Sequence, residues 1–159
     1  MRTLLVALIA TPLFAQVSAQ DPAGFAMWKM TEVTERAKTA KADATGMAGG
    51  GIGNLEKYQL IVVRRDKTGE AESHEKFVDI MIVTEGEATL RIGGQIVETR
   101  PNAAGEVRGK LLLDLGPTKM VEKKIAPGDI IHLPPGLPHW VVLADGKQIT
   151  YLLLKLDKK

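Results

Sequence analysis

PGDIIHLPPGLPHW, residues 127–140, decides the fold. Pro127-Gly128-Asp129 is a turn signal, and it opens a short run built on Ile130 and Ile131. Pro134-Pro135-Gly136 closes that run in a rigid turn, because proline locks φ near about −65° and has no N–H to offer a ladder. The next strand therefore starts at His139, with an imidazole aimed inward.

Outward from this stretch the pattern repeats. From Tyr58 onward, short apolar or alternating runs are broken at Asp66 to Gly69, Glu85-Gly86-Glu87, Gly93-Gly94, Pro101 to Gly109 and Ala144 to Gly146. Short strands at such intervals make a sandwich or a barrel. In ATLRIGGQIVETR (88–100), Ala88, Leu90 and Ile92 share one face while Thr89 and Arg91 share the other, the period of two of a sheet with one buried side. The lysine-rich end, KLDKK (155–159), reads as a solvated tail.

Upstream the period changes. Thr31 can cap a helix with Glu32 and Glu35 early and Arg36, Lys38 and Lys41 late, an order that suits the helix dipole. Glycines crowd residues 46 to 53 and end it. A phosphate cradle must open onto a helix N-terminus, whereas LEKYQLIVVRR (55–65) is strand-like, so that reading is set aside. The first twenty residues, MRTLLVALIATPLFAQVSAQ, combine Arg2, an apolar run from Leu4 to Phe14, and Val17-Ser18-Ala19 as a cleavage signal. The run falls short of the roughly 20 residues that cross a bilayer, and Pro12 interrupts it. The expected division is a signal peptide over 1–19, cleaved after Ala19, an N-terminal helix and glycine-rich linker over 20–54, and one barrel over 55–159. The mature chain is expected in a periplasm or outside the cell, free of the membrane.

Composition narrows the partners. Lysine plus arginine (21) nearly balance aspartate plus glutamate (19), so the strong positive field that nucleic acid or an anionic membrane requires is missing. With no cysteine there is neither a disulfide framework nor a thiolate nucleophile. No G-x-S-x-G elbow and no H-E-x-x-H helix is present.

Gly128, Pro134, Gly136 and His139 match all four positions of the second motif of the cupin family, and the chain resembles that family from about Tyr58 to Leu156. The resemblance implies an all-β cupin-type barrel, or jelly roll, with one N-terminal helix laid against it; it also implies pairing as a homodimer, and His139 as a metal ligand. In the family's first motif, two histidines two apart are followed by an acidic residue and a glycine. ESHEKFVDIMIVTEG (72–86) is a degenerate version: His74 takes the second histidine position, Glu72 stands at the first, Asp79 at the acidic one and Gly86 at the glycine. Glu72 and His74 lie two apart and project to one side of a strand. Asp79 is an odd number of residues beyond His74, so it joins them only across a bend within Glu75 to Val78.

Two ligand sets follow. Either Glu72, His74, Asp79 and His139 all bind a divalent ion, or Glu72 stands back as the catalytic base or a hydrogen-bond partner and leaves His74, His139 and Asp79, two imidazoles and one carboxylate. The second set suits Fe(II), although Mn(II) or Zn(II) fits the same ligands. Outside it, His132 reads as structural, Trp140 alternates to the opposite face as packing, and Arg91 and Arg108 are the candidates for holding an anionic group. The loop RPNAAGEVRGK (100–110) is either a lid or padding. Two functions stay open: a metal-dependent oxygenase, isomerase or lyase acting on a small polar molecule, and a module that captures a small ligand or metal without transforming it.

Overall fold

The computed structural model describes residues 21–55, 58–100 and 105–158. The expected signal peptide lies outside the described residues, as does part of the loop 100–110. The described chain is one helix, α1 (Met30–Thr39), and eleven strands: β1 (Met47–Leu55), β2 (Tyr58–Arg65), β3 (Ala71–His74), β4 (Phe77–Gly86), β5 (Ala88–Ile92), β6 (Gln95–Arg100), β7 (Glu106–Leu113), β8 (Val121–Ile125), β9 (Ile130–Leu133), β10 (His139–Val142) and β11 (Ile149–Asp157). They form two antiparallel sheets, one in the order β1-β2-β11-β4-β9, the other β6-β7-β3-β10-β5-β8. The fold is all-β with one N-terminal helix, as expected. No helix among the described residues is long and apolar enough to cross a membrane.

Turn chemistry sets the strand ends where the sequence places it. Gly86 has φ +73°, and a Cβ there would sit 2.0 Å from the Gln148 carbonyl oxygen, so only glycine ends β4 at this close approach. Between Pro134-Pro135 and His139, the Gly136 N–H donates to the His74 carbonyl at 2.9 Å and ties the turn before β10 to the end of β3.

The interior divides in two. Where β4 and β9 face β10, β5 and β8, the inner side chains are apolar and close-packed: Met81, Val83, Leu90, Ile125, Leu133 and Val141 are each no more than 3% exposed. Where β1, β2 and β11 face β3 and β7, a cavity of about 570 Å³ remains. Outside that open half α1 packs Val33 and Ala37 onto Val62, Ile52 and Leu152. A second outer cluster, Ala71, Ile96, Leu112 and Trp140, covers part of the larger sheet, so Trp140 is packing, as its alternation with His139 requires.

Three local expectations are corrected. The glycine-rich stretch is strand, not linker: residues 47–55 pair with β2 through the backbone, and a Cβ at Gly49 would sit 2.1 Å from the Val62 carbonyl oxygen. Glycines carry no side-chain alternation, so a periodicity reading passes over such a strand. Lys155 to Asp157 belong to β11, which pairs with both β2 and β4, so the end of the chain is sheet up to Asp157 rather than a solvated tail. Thr31 lies inside α1, whose N-cap is Lys29 with no side-chain cap; the start at Met30 is the phase that turns Val33 and Ala37 onto the barrel.

Candidate functional site

Strand register assembles the site. β3 runs between β7 and β10, and Glu72 stands opposite Arg108 on one side and His139 on the other. His74, two residues on, stands opposite Glu106. Directly opposed side chains on one face are neighbours, so the row His139–Glu72–Arg108 and the pair His74–Glu106 follow from pairing alone. On the other sheet, Asp79 of β4 pairs in register with Lys155 of β11 and faces inward with Met81 and Val83. The bend that Asp79 requires is present: β3 stops at His74, Glu75 and Lys76 turn the chain, and β4 begins at Phe77 in the opposite sheet.

One ligand atom from each of Glu72, His74 and His139 can be chosen so that all three lie within 4.8 Å of one another. The two imidazole centroids are 5.4 Å apart, and both side chains are 4% exposed. His139 Nδ1 is 3.0 Å from the Leu137 carbonyl oxygen, which only a protonated Nδ1 can use as a donor; that tautomer leaves the Nε2 lone pair, 3.9 Å from Glu72 Oε1, for an ion. Each nitrogen of His74 faces a carboxylate, Nε2 towards Asp79 Oδ2 at 3.4 Å and Nδ1 towards Glu106 Oε1 at 3.2 Å. Burial, reinforced by the charge of Lys155, holds the His74 pKa below its ordinary value and keeps the ring neutral at neutral pH, the form a metal needs.

Asp79 stands apart from this group of three. Its Oδ1 is 3.4 Å from Lys155 Nζ, while Oδ2 leans on His74. In this place it lies against the His74 ring, outside the group of three that the ligand atoms of Glu72, His74 and His139 form. Glu72 is held from two directions, by Arg65 at 3.1 Å on Oε1 and Arg108 at 3.3 Å on Oε2. Burial alone would raise its carboxyl pKa, but His139, Arg65 and Arg108 together outweigh it and hold the group below the usual carboxylate range. A carboxylate so held is a weak proton acceptor and a ready ligand.

The donor set fits a divalent cation: one carboxylate kept ionised, one imidazole kept neutral and one with its tautomer fixed. His74 Nδ1 is also buried without a hydrogen-bond partner among the described residues. Nothing in this set of nitrogen and oxygen donors separates Fe(II), Mn(II) and Zn(II).

Of the two arginines singled out from sequence, Arg108 lines the cavity. Arg91 bonds Glu122 at 2.7 Å and lies 5.5 Å over the Trp140 ring. His132 is exposed on β9, away from the site. Arg65, Glu106, Tyr151 and Lys155 are among the cavity residues that the sequence did not mark. Arg65, 6% exposed, donates from Nε to the Tyr151 hydroxyl at 3.0 Å; burial pushes that phenol pKa up and keeps it protonated. For Arg65 and Lys155 a signal existed, since each stands two residues beyond an inward apolar residue, Val63 and Leu153, and a charge in phase with a core face has to be explained.

No family model matches the chain, and no curated protein matches it. Solved structures do. The chain is similar to KdgF from a Halomonas species (TM-score 0.51, 13% identity, over 76% of this chain and 88% of that one). It is also similar to an uncharacterized conserved protein with a double-stranded β-helix domain from Klebsiella pneumoniae (TM-score 0.52, 14% identity, over 78% and 85%). A third likeness is to a putative sugar phosphate isomerase from Acidithiobacillus ferrooxidans (TM-score 0.54, 12% identity, over 84% and 75%). At such identities the likeness is one of fold.

Proposed function

Since the chain is a cupin by fold, a double-stranded β-helix of two facing antiparallel sheets, we propose that it is a divalent-metal-dependent enzyme acting on a small polar molecule inside its barrel. The observation that carries this reading is the convergence of Glu72, His74 and His139 within 4.8 Å, with Glu72 and His74 on the wall of the cavity of about 570 Å³. That volume suits a small ligand rather than a polymer. In this reading Glu72 is a ligand, not the base, because two arginines hold its charge. The single N–H of the neutral His74 ring is orientated by one of the two carboxylates beside it, Asp79 or Glu106, and the other nitrogen is left for the ion. An ion held by Glu72, His74 and His139 would supply Lewis-acid chemistry suited to an oxygenase, isomerase or lyase reaction, in which negative charge develops on a substrate oxygen. The protonated Tyr151 and the guanidinium of Arg108 line the same cavity and supply donors that orient the substrate.

Metal content tests the proposal. Untagged wild-type protein is expected to retain about one divalent ion per chain, and His139→Ala to retain less than a tenth of that at equal folded fraction, because losing one of three ligands loosens the whole site. Equal metal in the two samples would refute the site.

One observation favours a second reading. Lys41, Arg65, Arg108 and Lys155 balance Asp43, Glu72, Glu106 and the adjoining Asp79 charge for charge, so the wall is neutral without an ion. A module that captures a small ligand and transforms nothing satisfies that balance equally well. A bound ion with no open coordination position would decide for it.

A further inference from the structure

We propose that Lys155 is an anion-docking residue, and that the molecule taken into this cavity is a doubly charged oxyanion, either a dicarboxylate or a phosphate. The double charge rests on the metal reading above; the role of Lys155 does not.

Lys155 is 9% exposed and lies on the inner face of β11, in phase with Tyr151 and Leu153. Its ammonium is 3.4 Å from Asp79 Oδ1 and 3.8 Å from Glu106 Oε1, and it lies 5.2 Å from the centre of the Phe77 ring. Charge-assisted hydrogen bonds run at about 2.7–2.9 Å. The surface lysines Lys38 and Lys110 reach that range, at 2.8 Å to Glu85 and 2.9 Å to Glu98. Lys155 Nζ does not, and among the described residues it has no hydrogen-bond partner. Three donors on a buried ammonium are thus held close to two carboxylates yet bonded to neither, and leaving buried donors unanswered is strongly unfavourable. The group lines the cavity together with Arg108. An oxyanion entering there would supply the missing acceptors.

Charge gives the ligand its second unit. The wall sums to zero with the imidazoles neutral, so a divalent ion on Glu72, His74 and His139 leaves an excess of two positive charges in a buried space. Uncompensated charge in such a medium is costly, and a ligand carrying two negative charges removes the excess. Lys155 and His74 both border on Asp79 and Glu106, so the anionic group and the metal-facing oxygen of one small molecule fit side by side.

The test is calorimetric titration of malonate, inorganic phosphate and malonamide, the neutral analogue, into the full chain, both metal-loaded and stripped by chelator. Two variants accompany the wild type: Lys155→Met, and the double substitution Lys155→Met with Asp79→Asn, which also neutralises the carboxylate that the first leaves unpaired. At least one of the two anions is expected to bind the loaded wild type, and which one binds tells dicarboxylate from phosphate. Malonamide is expected not to bind. Both variants should lose at least tenfold in anion affinity, and the double variant should do so although the charge sum of its wall is unchanged. Stripping the metal should weaken binding while its dependence on Lys155 persists. Binding of either anion that survives both substitutions would overturn the proposal, as would malonamide matching malonate, or no binding of either anion. A wild type that takes up no metal would defeat the metal reading, and the Lys155 dependence would still decide this one.

Discussion

The closed half of the barrel and the open half use the same strands for opposite ends. On β4, Val83 and Met81 are sealed in the core, and Asp79, the next inward residue, is buried against charge. On β11, Ile149 and Tyr151 belong to the core, Leu153 borders the cavity, and Lys155 is the charge within it. Stability is therefore concentrated on one side and the candidate site on the other. Truncation should expose the difference. Leu90→Ala, at a position 1% exposed, is expected to cost about 2–5 kcal/mol, because the void it leaves is enclosed by rigid neighbours. Leu153→Ala is expected to cost about 1 kcal/mol, since it widens a space that is already open and loses only part of the transfer energy of a half-buried side chain. Urea midpoints at constant slope measure both. Equal losses would mean that the two halves are packed alike.

The same contrast explains what could be read from sequence. Alternation in Ala88, Leu90 and Ile92, and the turn at Pro134-Pro135-Gly136, mark strands by side-chain pattern and backbone chemistry, both local properties. His139 and His74 were legible as a meeting pair because two motifs bracket the barrel, and their rings do come together. For Lys155 and Arg65 only the inward phase is legible, and for Glu106 not even that; their partners depend on register between strands distant in sequence, which sets Lys155 beside Asp79 and Glu106 beside His74. The glycine strand β1 was missed for a different reason. It joins β2 by main-chain bonds, and its glycines offer no pattern to read.

Glu72 lies where the open half is most polar, and its replacement sharpens the comparison next. Glu72→Gln keeps the shape and removes the charge that Arg65 and Arg108 share. Two cations left around a neutral amide in a buried row should cost about 2 kcal/mol in metal-free protein, the scale of a hydrogen bond to a charged group. Metal retention should fall as well, since the one carboxylate of the ligand set is gone. The expected loss falls at the low end of that for Leu90→Ala although Glu72 makes the stronger individual contacts, because neither arginine is left alone: Arg65 keeps the Tyr151 hydroxyl and Arg108 keeps Glu106. An unchanged midpoint would show that the two arginines find other partners, and the row would then be dispensable to the fold.

The smallest effect belongs to the outer brace of the open half, where α1 substitutes for the core that the cavity removes. Arg64, on the outer face of β2, donates to the carbonyls of Ala37 at 2.6 Å, Lys38, and Ala40 at 3.2 Å, closing the C-terminus of α1, while Asp66 fixes the guanidinium at 2.7 and 2.8 Å. Arg64→Met is expected to cost about 1 kcal/mol, with faster hydrogen exchange confined to α1 and β1. The sign of its pH dependence follows from Asp66. The hydrogen bond from Arg64 holds the Asp66 pKa below its ordinary 3.8, so the pair contributes fully above that value, and the contribution is lost as pH falls through the lower folded value. The gap in stability between wild type and Arg64→Met should thus be constant near neutrality and narrow below about pH 4. Taking the difference cancels the other acidic groups that titrate there, Glu70 and Asp43 among them, because neither touches Arg64. A gap independent of pH would assign the whole effect to the helix carbonyls, and one that reached the core amides of β4 and β5 would show that the brace and the closed half unfold as one.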